Sequence, residues 1–158
     1  GARLGAFITR NKDLLQAAMK FAQARLSPPS FAQIAAEAAI DLPHNYFDEI
    51  KAEYIKRRNV LVKRLNAIPG VFCPEPGGAF YVMAKLPIAD ADHFCQWLLE
   101  SFSWNNQTVM LAPASGFYST PGLGKNEVRL AYVLGVDAIN NAMDCLEMAL
   151  KEYNSQSK

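Results

Sequence analysis

The chain reads as a mixed α/β protein of the α+β type, built on a small mixed or antiparallel sheet covered by helices. Three observations predict this. Its 158 residues are 51% hydrophobic, enough for a sizeable core. About five stretches repeat apolar residues at helical spacing, whereas the five strand candidates are short. After the longest helix, the strand candidates are separated by a turn, a helix and a loop. That order suits an antiparallel layer better than the regular crossovers of a doubly wound sheet.

Residues Gly1 to Thr9 read as a short strand entered through glycines, with Arg3 between Gly1 and Gly5. Asn11 offers an N-cap to a helix whose apolar positions are Leu14, Leu15, Ala18, Phe21 and Ala22. Ser27-Pro28-Pro29 interrupts it, since neither ring can continue a helix ladder. Ser30 and Gln33 have capping-box spacing before an Ala-rich helix through Ile40. Asp41-Leu42-Pro43-His44 breaks the chain, and a long helix follows from about Tyr46 to Asn66 with Ile50, Tyr54, Leu61 and Leu65 inward. Its mixed charges, Lys51 to Arg64 among Asp48, Glu49 and Glu53, read as a solvated face.

Pro69-Gly70 ends the long helix. Val71-Phe72-Cys73 reads as a short strand, Pro74 to Gly78 as a turn and Ala79 to Ala84 as a second strand. Gly77 and Gly78 suit a plain turn as well as a place where a ligand nears the backbone. Asp90 and Asp92 precede a helix with Phe94, Trp97, Leu98 and Phe102 on one face, and His93 exposed in its first turn. Gln107 to Ala112 reads as a strand and Pro113 to Lys125 as a long loop, of the kind that often carries function. Asp137 caps a last helix with Ile139, Met143, Leu146 and Leu150 inward, and Tyr153 to Lys158 reads as a frayed polar tail.

The last strand candidate, Glu127 to Val133, carries the most informative side chain. Alternation puts Val128, Leu130 and Tyr132 on one face and Arg129, Ala131 and Val133 on the other. A guanidinium on so apolar a face calls for a carboxylate or phosphate, unless it forms a structural ion pair or reaches water from an edge strand.

A net charge of +1, from 16 basic and 15 acidic residues without long blocks, gives no support for nucleic-acid or polyanionic partners. Cys73, Cys95 and Cys145 are odd in number and far apart, which fits buried thiols in a reducing, cytoplasmic compartment. No apolar run approaches the roughly 20 residues that cross a bilayer, so no membrane partner is expected. His44 and His93 are too few and too plainly placed for a metal site. The usual signatures of self-contained catalysis, G-x-S-x-G, H-E-x-x-H, G-x-x-x-x-G-K-[ST] and G-x-G-x-x-G, are missing. Arg3 and Arg129 remain as anion binders, the first suited to a phosphate and the second to a carboxylate.

Gly1-Ala2-Arg3-Leu4-Gly5, Pro76-Gly77-Gly78-Ala79-Phe80-Tyr81, the segment from Met110 to Tyr118, and Glu127-Val128-Arg129-Leu130-Ala131-Tyr132 form four successive blocks. Together they resemble the C-terminal part of class I aminotransferases, which are fold-type I pyridoxal-phosphate enzymes, and the aspartate aminotransferases most closely. The resemblance covers essentially the whole chain. It implies that residues 1–40 are a remnant of a large cofactor-binding domain and that 41–158 form the C-terminal small domain. It implies that Arg3 holds the phosphate of pyridoxal 5'-phosphate, as the arginine of the family's G-x-R-x-G motif. It also implies that Arg129 binds the substrate α-carboxylate, and that Gly77 and Gly78 sit where the small domain closes on substrate.

One departure limits the inference. The family's Schiff-base lysine lies a few residues before the G-x-R-x-G motif, so it would precede Gly1, and none of the nine lysines here has an S-x-S-K context. The chain, which begins without Met, is therefore expected to be an inactive C-terminal piece of a cytoplasmic, homodimeric enzyme, with no catalytic residue and no cofactor bound by itself. The parent is expected to move an amino group between aspartate and 2-oxoglutarate. The alternatives are an alanine, aromatic or branched-chain donor, or a stand-alone interaction module without chemistry. Under the same reading, the strand at Gly1 to Thr9 has lost its sheet neighbours, and it is expected to be disordered, refolded or paired with another copy.

Overall fold

The computed structural model describes residues 3–156, except for the side chain of His44. The chain divides into two compact units, Gly1–Asp48 and Glu49–Lys158.

The first unit contains helices α1 (Lys12–Arg25) and α2 (Ser30–Ile40) and the start of α3 (His44–Ala67). Asn11 caps α1 as expected, its side chain accepting from the Asp13 and Leu14 amides at 3.0 and 3.1 Å. The expected capping box at Ser30 is displaced. Pro29 occupies the N-cap position, and the Gln33 amide reaches past it to donate to the Pro28 carbonyl at 2.9 Å. Ala32 is the only buried residue among the described residues of this unit. The apolar stripe of α1 is accordingly uncovered, with Phe21 75% exposed.

The strand expected at Gly1 to Thr9 is not formed. Gly1 and Ala2 lie outside the described residues, and residues 3–9 carry no regular structure and no ladder bonds. A strand needs a neighbour for its alternate N–H and C=O groups, and the only sheet among the described residues lies in the second unit.

That sheet is antiparallel, with strand β3 (Glu127–Ala131) between β1 (Tyr81–Lys85) and β2 (Ala112–Pro113). Register sets Val82 opposite Leu130 and Ala84 opposite Val128, so all four share one face and all four are buried. Leu61 and Leu65 of α3, Phe94 and Leu98 of α4 (Ala91–Glu100), and Ile139, Met143, Leu146 and Leu150 of α5 (Val136–Gln156) complete this core. Tyr81, Met83, Lys85, Glu127, Arg129 and Ala131 occupy the other face, and none of them is buried.

Several expected boundaries shift for identifiable reasons. The segment Val71 to Cys73 gives only an isolated bridge, Phe72 to Lys85, because Pro74 and Pro76 cannot extend a ladder. Gln107 to Ala112 yields pairing only from Ala112 onward. Asn105 and Asn106 adopt φ 51 and 57°, closing a tight turn that pairs Trp104 with Gln107 instead. On α3, Leu61 and Leu65 are buried and Tyr54 half-buried, whereas Ile50 is exposed at the start of the unit. The last helix begins one residue before Asp137, which sits in its first turn, where a carboxylate still complements the helix dipole.

The tail is not frayed from Tyr153. Helix α5 continues to Gln156, and the Tyr153 ring packs 5.0 Å from Phe94 and 5.2 Å from Trp97. The Tyr153 hydroxyl lies 2.6 Å from Nδ1 of the exposed His93.

Candidate functional site

Arg129 lies in the middle of β3, opposite Met83 on one side and Ala112 on the other. Neither neighbour offers a polar side chain. Its guanidinium carbon instead lies over two aromatic rings, 4.9 Å from the Tyr81 centroid and 4.6 Å from the Phe117 centroid. Tyr81 comes from β1, and Phe117 from a short 3-10 turn, Ser115–Phe117, in the long loop.

The other arginines of this unit differ in one respect. Arg57 pairs with Glu53 at 2.7 Å, Arg58 with Glu75 at 2.8 Å and Arg64 with Asp144 at 2.5 Å. The Arg57–Glu53 pair lies within α3, whereas the Arg58 and Arg64 pairs and the contacts from Arg57 to the Val133 carbonyl and from Arg58 to the Pro76 carbonyl tie that helix to its surroundings. Among the described residues, no carboxylate or carbonyl accepts from Arg129. A half-buried guanidinium with its donors unclaimed is a ready anion site.

Glu127, two residues along the same face, is the natural internal partner. Its Oε2 is taken by the Tyr118 hydroxyl at 2.5 Å. That hydrogen bond, then burial and the carboxylate charge, push the Tyr118 hydroxyl pKa up, so it stays a donor.

The loop that delivers Phe117 and Tyr118 is held at several points. The Ala114 amide donates to the Glu127 carbonyl at 2.9 Å, and the Ser115 hydroxyl to Asp92 at 2.7 Å. The loop returns beneath itself at Gly124, whose φ is +73°. A Cβ there would stand 2.7 Å from the Ala114 carbonyl oxygen and 2.6 Å from the Tyr118 ring. Sequence reasoning found Arg129 and missed Tyr81, Phe117 and Gly124.

Gly77 and Gly78 need no special backbone here, and a Cβ on either meets nothing within 4 Å. They line an open cavity of about 310 Å³ with Lys51, Tyr54, Arg58 and Tyr132. The strain sits on the next residue, Ala79, at φ +60°, and the Tyr132 hydroxyl donates to its carbonyl at 2.7 Å.

Arg3 belongs to the first unit. It is exposed, with φ +54°, rather than extended between two glycines in a strand. It lines a cleft of about 500 Å³ together with Arg25, Gly5 and Ser27. Two guanidinium groups and a hydroxyl suit a phosphate, so this donor set fits the anionic end of pyridoxal phosphate. Among the described residues no lysine lines the cleft, so the amine that would bind the cofactor's carbonyl is not supplied there by them. No metal-holding cluster occurs among the described residues. Cys73, Cys95 and Cys145 are free and buried, and burial raises all three thiol pKa values, for Cys73 and Cys95 to about 11. No described helix is long and apolar enough to cross a membrane.

A small helix-covered antiparallel sheet that displays an arginine without an internal ion pair defines an α/β domain. Residues 1–146 match the family model of aminotransferase class I and II, and the chain belongs to that family. It is 30% identical to an aspartate aminotransferase of Pyrococcus horikoshii over 155 residues, covering 96% of this chain and 38% of that protein. Among solved structures, an alanine aminotransferase from Pyrococcus furiosus is 31% identical with a TM-score of 0.69, over 90% of this chain and 36% of that one. An α-aminoadipate aminotransferase from Thermus thermophilus reaches a TM-score of 0.74 over 92% of this chain and 37% of its own, at 21% identity, which speaks to fold alone. The chain thus spans under two-fifths of the length of these proteins.

Proposed function

We propose that this chain is the C-terminal portion of a pyridoxal-phosphate-dependent aminotransferase, in which Arg129 binds the α-carboxylate shared by the amino-acid and 2-oxo-acid substrates. The observation that carries the reading is the half-buried Arg129 guanidinium, flanked by two rings and paired with no protein acceptor. In this reading Arg3, with Arg25 beside it, holds the cofactor phosphate. Bound pyridoxal phosphate supplies the carbonyl that takes up an amino group and a ring that withdraws electrons. This chain's own contribution is binding and orientation. A carboxylate fixed by the fork of Arg129 leaves the substrate α-carbon little freedom to turn, and that positioning lowers the entropic barrier to reaction.

The proposed division assigns residues 1–40 to the large cofactor domain and 41–158 to the small domain. By itself the chain would be inactive, because among the described residues no lysine lines the Arg3 cleft. Aspartate with 2-oxoglutarate is the proposed substrate pair, supported by the aspartate aminotransferase at 30% identity. An alanine donor is the second reading, supported by the alanine aminotransferase at 31% identity. The buried, reduced thiols favour a cytoplasmic enzyme, and a homodimer is proposed for the whole protein.

The test is Arg129→Ala in the whole polypeptide, assayed for transamination with each donor. Loss of a charge-assisted, bidentate contact is expected to lower kcat/KM by roughly 100-fold, largely through KM. An unchanged kcat/KM would remove the carboxylate role.

A further inference from the structure

Tyr81 and Phe117 approach Arg129 from two different elements, one a sheet strand and the other a loop. A guanidinium is planar and weakly hydrated, so it stacks on aromatic rings without giving up its N–H donors. An arginine on an open sheet face, with Met83 and Ala112 as cross-strand neighbours, would otherwise sample many rotamers and lose them on binding.

We infer that Tyr81 and Phe117 are positioning residues for Arg129, holding its guanidinium in one orientation with its donors free for a planar carboxylate. This rests on the carboxylate role proposed for Arg129. The loop anchors have a part in the same device. The Tyr118 hydroxyl engages Oε2 of Glu127, the carboxylate that shares the face of Arg129, and it fixes the residue next to Phe117. Gly124 lets the loop close tightly enough for both aromatic residues to reach the sheet. Ring placement and freedom from an internal ion pair are thus set by the same few residues.

The experiment uses the 158-residue chain, ¹⁵N-labelled. The Arg129 Nε–H signal, identified by its loss in Arg129→Lys, is followed during separate additions of acetate and 2-oxoglutarate at constant ionic strength. A saturable shift is expected in the original chain. Phe117→Leu and Tyr81→Leu are each expected to weaken binding by about 3- to 10-fold, whereas Tyr81→Phe and Phe117→Tyr, which keep the rings, restore it to within about 2-fold. If both leucine variants bind as the original does, the rings do no positioning, and the carboxylate role of Arg129 survives alone. No saturable shift in the original chain overturns that role, and the clamp with it. Should Tyr81→Leu disturb the strand, Phe117→Leu decides the matter, because Phe117 is 52% exposed and lies outside the sheet.

Discussion

Replacing Gly124 by alanine puts a methyl group where the loop has no room for one. Two costs can be separated. At φ +73° an L-residue with a Cβ is strained by about 1 kcal/mol. The Cβ would also stand 2.7 Å from the Ala114 carbonyl oxygen and 2.8 Å from its carbon, which are backbone atoms that cannot swing aside. Relieving such an overlap costs a further 1–3 kcal/mol, roughly. The expected total is about 3 kcal/mol. With a urea dependence of about 2 kcal/mol per molar, the unfolding midpoint should fall by about 1.5 M. Gly122→Ala is the internal control, because its φ is +88° but its Cβ meets nothing within 4 Å. It should lose only the strain, about 1 kcal/mol. Urea unfolding followed by tryptophan fluorescence measures both variants. Equal losses in the two would refute the claim that contact with Ala114 and Tyr118, rather than backbone conformation, makes Gly124 necessary.

Three further outcomes are expected. Cys73 and Cys95 should react slowly with a thiol reagent at pH 8 in the folded chain and quickly once it is unfolded, since burial raises their pKa from 9.0 to about 11. The same shift links to stability with a definite sign: the folded state disfavours the thiolate, so the contribution is complete below pH 9.0 and is lost as pH rises towards about 11. A urea midpoint that does not fall across that window in the original chain relative to a Cys73→Ala, Cys95→Ala variant would count against it. Ending the chain at Glu152 removes the Tyr153 ring from Phe94 and Trp97, and should cost about 2 kcal/mol in urea unfolding. A tail without a packing role would leave the midpoint unchanged.

Much of the fold was legible because it depends on local rules. Asn11, the Pro28-Pro29 interruption and the apolar spacing of the last helix each act within a few residues, and each element appears where these place it. What was not legible depends on partners distant in sequence. Val71 to Cys73 and Gln107 to Ala112 have the composition of strands, but pairing also requires a neighbour in register and a turn that permits it. Tyr153 looks like part of a polar tail until α4 brings Phe94 and Trp97 beside it. Residues 3–9 are the extreme case, since a strand sequence without a second strand forms no ladder and stays irregular.

The candidate site divides along the same line. Alternation alone put Arg129 on the face opposite Val128 and Leu130, and burial of those two residues agrees with it. Whether Arg129 would find an internal carboxylate depended on Glu127, which shares its face and lies about 7 Å along the strand. The answer came from Tyr118, nine residues earlier in sequence, whose hydroxyl takes that carboxylate. An isolated strand bearing Glu-x-Arg suggests an internal pair; with the loop folded over it, one Glu127 oxygen is engaged by Tyr118 while the Arg129 donors stay open. The chemistry of Arg129 is therefore set by the packing of the loop from Ala114 to Gly124 as much as by the strand that carries it.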